Sequence, residues 1–164
     1  MSVFQAQYTR SLEVIPSDNA NIPYPNLIKS GTISDIDADK LIDETANFIL
    51  DNIQAGDIVY SPNTDLAAAV IEVQSETSLL LNANIFSGSG QSYLIYNASS
   101  QTSNGNPGCY LYVGSEGNVK VTTVGQDIVV FSGVRAGTVL PIQVVKVHSG
   151  GEGGTTAGEI IALW

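Results

Sequence analysis

Residues 108–164, GCYLYVGSEGNVKVTTVGQDIVVFSGVRAGTVLPIQVVKVHSGGEGGTTAGEIIALW, decide the fold class of this chain. Tyr110-Leu111-Tyr112-Val113 leads into a glycine-rich turn, Gly114 to Asn118, and then into Val119-Lys120-Val121-Thr122-Thr123. A second turn, Val124 to Asp127, feeds Ile128-Val129-Val130-Phe131. Gly133 to Gly137 breaks the chain before Leu140-Pro141-Ile142-Gln143-Val144-Val145-Lys146-Val147. Short β-branched runs separated by turn residues predict a meander of antiparallel strands. Ile160-Ile161-Ala162-Leu163-Trp164 adds a last apolar run carrying the single tryptophan. Leaving it in water would cost roughly 25 cal/mol per Å2. It therefore reads either as the last core strand, its outer end near a subunit contact, or as an anchor placed in a neighbour.

A chain of 164 residues holds one ordinary domain or two small β modules. Its hydrophobic share, 43%, is enough for a real core. Sixteen acids against six bases give a formal charge of −10. That balance offers nothing to a phosphate backbone or an anionic membrane, so no nucleic acid and no membrane partner is expected. The lone Cys109 reads as a small buried hydrophobe, with no local cation to activate it. Met1 to Gln5 does not resemble a signal peptide, and no apolar run reaches the ~18 residues of a membrane span, so assembly in a host cytoplasm is expected.

The order Leu111–Gly114, Val119–Thr123, Phe131, Val134–Pro141, Val144–Val147 and Ile160–Trp164 resembles the C-terminal half of the head spike base proteins of gene transfer agents and related tailed phages. Val14-Ile15-Pro16-Ser17-Asp18 is similar to that family's start. The stretch between resembles an inserted small β module of the kind found in cyanophage-like structural proteins. The resemblance implies a virion surface protein. Its partners would be the major capsid protein, further copies of itself as a trimer or pentamer, and a fiber or spike protein.

The rest of the chain divides by composition. Residues 1–26, with Pro16, Pro23 and Pro25, predict an extended N-terminal arm, reaching a neighbour or crossing its own domain. Residues 27–96 predict the inserted module, a small SH3-like or related barrel. Its strands are read at Asp57–Tyr60, Leu66–Val73, Ser78–Leu81 and Tyr93–Tyr96, with a turn of helix over Phe48–Ile53 ended by Gly56. Residues 97–108, NASSQTSNGNPG, read as a linker. Residues 109–164 form the C-terminal domain, an antiparallel β-sandwich or barrel. The fold class is thus all-β, two modules with an arm.

Candidate chemistry is sparse. Asp35, Asp37, Asp39 and Asp43 invite a cation, but Lys40 and Ala46 stand where a calcium loop needs Gly and Glu. They read as a solvated face. Gly88-Ser89-Gly90 lacks the Lys-Ser or Lys-Thr of a phosphate loop. His148 has no metal-ligating neighbour and reads as exposed. Glu116 and Asp127 fall in turns, where no apolar pocket raises a carboxyl for glycoside chemistry. No catalytic residue, cofactor or metal is expected. The expected function is structural, on the exterior of a tailed-phage capsid as decoration, cement or head spike base. Contacts are placed at Pro16, Tyr24, Leu140, Pro141, Leu163 and Trp164. Alternatives are a host-surface or carbohydrate-binding module using Tyr93, Tyr96 and Asn97, and a tail or baseplate component.

Overall fold

A computed structural model describes residues 7–98 and 107–164. Their strands, all paired antiparallel, form two six-stranded sheets. The first is built from β1 (Ser11–Glu13), β12 (Gly158–Leu163), β8 (Cys109–Ser115), β11 (Thr138–Val147), β9 (Gly117–Thr123) and β10 (Ile128–Val134), in that spatial order. The second runs β2 (Leu27–Thr32), β7 (Ser92–Tyr96), β4 (Ile58–Ser61), β5 (Leu66–Val73), β6 (Ser78–Leu81), β3 (Lys40–Ile42).

The C-terminal strands follow the alternation in their sequence but not the expected meander, since of β8 to β12 only β9 and β10 are neighbours both along the chain and in the sheet. Leu111 and Val113 of β8, Val119 and Val121 of β9, and Ile160 and Ala162 of β12 point into one apolar core. Between β8 and β9 the predicted five-residue turn shrinks to Glu116 alone, and β10 runs on to Val134 rather than stopping at Gly133. Gly114 and Gly117, carrying no Cβ, let the chain entering β12 lie close against them. One at Gly117 would meet the Ala157 Cα at 2.7 Å, and one at Gly114 the Glu159 side chain at the same distance. Strand β11 pairs β8 with its first half and β9 with its second, Val144 facing both Cys109 and Thr123. Pro141 sits at the register shift between Leu140 and Val144, where a missing N–H leaves no rung unpaired.

The second sheet reads differently because three of its strands are buried on both sides. Val59, Ala68, Val70, Tyr93 and Ile95 fill the module's own core. Ile58, Tyr60, Ala67 and Tyr96, on the opposite faces of the same strands, fill a second cluster with Ala20, against which Leu12 and Ile15 pack. This explains the unbroken runs Ala67-Ala68-Ala69 and Tyr93-Leu94-Ile95-Tyr96. Past β2 the chain turns back to β3, where the Ser34 N–H donates to the Ile42 carbonyl (2.8 Å) and Asp35 bridges Ile42. The two outer strands of this sheet thus meet, as a small barrel requires.

The stretch Phe48–Ile53, read as a turn of helix, is a single hydrogen-bonded turn that never becomes a helix, and it is fixed at both ends. Asn47 accepts the Leu50 N–H on its side chain (3.0 Å). It ends earlier than Gly56: Asn52 takes the left-handed conformation (φ 56°), and the Ile53 N–H reaches back to the Phe48 carbonyl (3.0 Å). Ile53 and Phe48 then share the core, completing a Schellman motif.

Residues 7–26 lie along their own chain, the second of the two courses open to the arm. β1 pairs with β12, setting Ser11 opposite Leu163. Beyond it, the Val14 N–H donates to Ile160, Ser17 to Val147 and Ile22 to Val145. Val14 and Ile22 enter the first sheet's core, while Leu12, Ile15 and Ala20 face the second sheet. The segment is therefore the seam between the modules. Of the linker, only Asn97, Ala98, Pro107 and Gly108 lie within the described residues.

Candidate interaction surface

The seam is held by two consecutive polar residues of the Val14–Asp18 motif. Ser17 is buried and its hydroxyl donates to the Ala67 carbonyl of β5 (3.0 Å). The same oxygen accepts from Asn19 (3.0 Å) and Ala20 (3.2 Å), closing a serine turn. Asp18 turns to the first sheet. It accepts from the Ser149 hydroxyl, lies 3.1 Å from His148 Nδ1, and its carbonyl takes the Lys146 ammonium (3.1 Å). The Ser149 hydrogen bond, helped by His148 against a small burial penalty, holds the Asp18 carboxyl below its ordinary value. His148 is therefore not a free loop residue. Its Nε2 also pairs with the Thr122 hydroxyl (2.8 Å), and its side chain is only 14% exposed.

The Asp35–Asp43 series is split up. Asp37 pairs with Lys40 (2.5 Å), and Asp35 bonds the next N–H. Asp43, expected on a solvated face, is 2% exposed. It accepts the Tyr93 hydroxyl (2.6 Å) on one oxygen and the Thr45 hydroxyl (2.7 Å) and N–H (2.9 Å) on the other. Burial alone would raise this carboxyl, but those donors and the Lys29 charge outweigh it and leave it below its ordinary value. Burial and the Asp43 acceptor in turn push the Tyr93 hydroxyl upward. Gly31 makes the approach possible, since a Cβ there would lie 2.5 Å from the Tyr93 oxygen and 2.7 Å from the Asp43 carboxylate. A second buried acid, Asp57, accepts N–H groups from Gln54 (2.8 Å) and Ala98 (3.0 Å), and burial raises its carboxyl. Cys109 is buried against the Val144 carbonyl, and desolvation pushes its thiol up to about 12. Among the described residues no three His, Cys, Asp or Glu side chains are placed to hold a metal, and no helix is long and apolar enough to cross a membrane.

The residues read as contacts separate into three groups. Tyr24 and Trp164 come together edge to face, with ring centres 5.4 Å apart, and the Arg10 guanidinium lies over Tyr24 at 5.1 Å. Trp164 is half-buried, and its indole N–H is sealed without a partner. Leu163 is on β12 beside them, facing Ser11 and Tyr110 across the ladder. Pro16 lines a cleft of about 570 Å3 between the modules, with Tyr60, Pro62, Leu94, Tyr96 and Glu159 among its other walls. Pro141 is exposed, but Leu140 is buried in the core and presents nothing to a partner. Tyr93 and Tyr96 are buried as well, so neither ring is open for a sugar to stack on. Glu116 and Asp127 are exposed at opposite ends of β9, separated by a seven-residue strand of roughly 20 Å.

One surface escaped the sequence reading. Ile128, Val129 and Val130 of β10 are 61%, 39% and 43% exposed, on the outermost strand of the first sheet. Their apolar run signals a strand, but not that it stands at an edge. Only the spatial order of strands reveals that. Comparison with known protein families, with curated proteins and with solved structures finds no match.

Proposed function

We propose that this chain is a structural virion protein of a tailed bacteriophage, mounted on the capsid exterior as a decoration, cement or head spike base component. It acts through repeated protein–protein contacts rather than catalysis. The observation that carries the proposal is how the interior polar groups are used. Ser17, Asp43, Asp57 and Tyr93 are each spent on fixing a turn, a loop or the joint between modules. Such a molecule is a stiff block, suited to a lattice in which a weak contact is multiplied by symmetry. The resemblance of Leu111–Trp164 to head spike base proteins supports the same reading. So does the Tyr24–Trp164 end, a half-buried aromatic pair of the residue types enriched at interfaces.

The test is co-sedimentation of the purified protein with capsids of the virus that encodes it, followed by electron microscopy of decorated particles. Density at symmetric capsid positions is the expected result. Failure to bind capsids sets the proposal aside, and density on the tail or baseplate replaces it with the tail reading.

A further inference from the structure

We propose that the cleft between the two modules is a binding site for an organic cation, an ammonium or guanidinium group carried on an apolar stem. The cleft has a volume of about 570 Å3 and is lined by three parts of the chain. These are residues 12–16 of the arm, strands β4 and β7 with the turn that follows β4, and residues 157–160 at the start of β12. Junctions between modules are common places for small-ligand sites, in volumes of ~300–1,000 Å3. The apolar part of the lining comes from Leu12, Ile15, Pro16, Leu94, Tyr60 and Tyr96. The cleft would take such a ligand whether or not the protein sits on a capsid.

Charge sets the sign of the ligand. Every charged residue on the walls is an acid: Glu13, Asp65 and Glu159. All three are exposed, and none is in an ion pair among the described residues. Glu159 is steadied by the Ser115 hydroxyl (3.0 Å). Three like charges around one cleft repel one another, and no lysine, arginine or histidine of the chain lines it to offset them. A cation from outside does so, whereas an anion would add to the repulsion.

A second feature, independent of the acids, is the Tyr60 hydroxyl. Tyr60 is 3% exposed, and its oxygen has no hydrogen-bond partner among the described residues. The Ile15 N–H leans toward that oxygen without closing a bond. Burial pushes the hydroxyl upward and the Glu13 charge adds to the effect, so the phenol is neutral and stands near a carboxylate of the cleft. A buried hydroxyl left unpaired costs stability and calls for a partner from elsewhere. An ammonium laid along the apolar lining donates to this oxygen while Glu13 balances its charge. Leu12 and Ile15 of the arm pack over Tyr60, so seating the head group shifts the arm, and the Ile15 amide reports it. Lysine and arginine have the right form, with methylenes for the apolar wall and a charged head for its polar end. A free amine and the side chain of a partner protein share this chemistry.

Titration of the full chain with n-hexylammonium at low salt, followed by amide NMR, tests this. Saturable shifts at Ile15 and Glu159 are expected, with hexanol binding more weakly and hexanoate not at all. Tyr60→Phe should weaken hexylammonium about tenfold while raising the melting temperature of the free protein. Glu13→Gln and Asp65→Asn should each weaken it ~2–5-fold. Glu72→Gln, which removes an exposed acid that does not line the cleft, should leave the affinity unchanged. A lysine-containing tripeptide that binds more tightly than the free amine assigns the ligand to a partner protein, and a weaker one assigns it to a free amine. Hexanol or hexanoate binding as tightly as hexylammonium overturns the proposal. So does an affinity that Tyr60→Phe leaves unchanged, or that Glu72→Gln lowers as much as Glu13→Gln.

Discussion

In the 27–96 module the chain beyond β2 bends back to bridge β3, so its outer strands meet. The sheet that carries Leu111 to Trp164 instead ends on β1 at one side and β10 at the other. The difference extends to the cores. The closed module buries a carboxylate, Asp43, against a tyrosine, Tyr93, with a glycine leaving room for both. The open sheet's core is aliphatic apart from one thiol, with the hydroxyls of Thr123 and Thr155 buried beside it but no carboxylate. A buried polar pair is costly unless every atom is satisfied, so it tolerates one arrangement only. An aliphatic core tolerates several. The closed module should therefore break sharply when its pair is disturbed, while the open sheet should give way gradually at its edge.

The largest effect expected from breaking this contrast is Gly31→Ala. Its methyl group would drive Tyr93 and Asp43 apart, combining overpacking with a lost bond to a buried charge, for about 3 kcal/mol. Urea unfolding measures it, and a loss no larger than that of an exposed glycine would mean the pair is adaptable. Tyr93→Phe should cost about 2 kcal/mol, because Asp43 keeps Thr45 but loses its shortest donor.

The same pair gives the closed module its acid sensitivity. The folded Asp43 carboxyl titrates below its ordinary value of 3.8. Its contribution is therefore complete above that value and lost as pH falls through the lower folded one. Asp57, raised by burial, runs the other way and favours the folded state as it protonates. Asp43→Asn should flatten the acid limb of a stability–pH curve below the ordinary carboxylate value of 3.8. An unchanged limb would assign acid unfolding to another carboxylate.

Smaller effects sharpen the relation between the modules. Ser17→Ala removes the hydroxyl that joins β5 to the seam, for about 1.5 kcal/mol. It should also separate one unfolding transition into two, seen by calorimetry. The least perturbing experiment changes no residue. Cys109, with its thiol raised to about 12, should resist alkylation at neutral pH until the open sheet unfolds. Its labelling rate then reports that sheet alone, and prompt labelling of the native protein would show that β8 is loosely held.

What could be read from the sequence follows from where each contact is encoded. Strands β8 to β12 are half-buried, so their alternation is local and visible, and their approximate positions follow directly. The all-β class and the two antiparallel sheets rest on the same signal. Asp43 could not be read this way: its burial depends on Tyr93, fifty positions away, and from its neighbours it looks like one more surface acid. A local hint existed in Asp43-Glu44-Thr45, where the threonine can bond back to the aspartate. His148 likewise lies in a glycine-rich stretch but is held by Asp18. Leu140 and Pro141 read alike as contacts, although the strand turns the proline outward and the leucine in. Among the candidate contacts, only Tyr24 and Trp164 converge by direct ring contact, through the pairing of β1 with β12.

That last pairing also sets an order of events during synthesis. Ser11 to Glu13 leave the ribosome early, but their partners, Ile161 to Leu163, are translated long afterward. The 27–96 module has all its strands in hand by Tyr96 and can form while the rest is still being made. The seam, by contrast, lacks β12, β11 and their carbonyls until translation reaches Leu163. Its apolar residues Leu12, Val14 and Ile15 must wait exposed or rest on the finished module. An N-terminal tag that slows this late closure should lower soluble yield more than the same tag's effect on final stability would suggest.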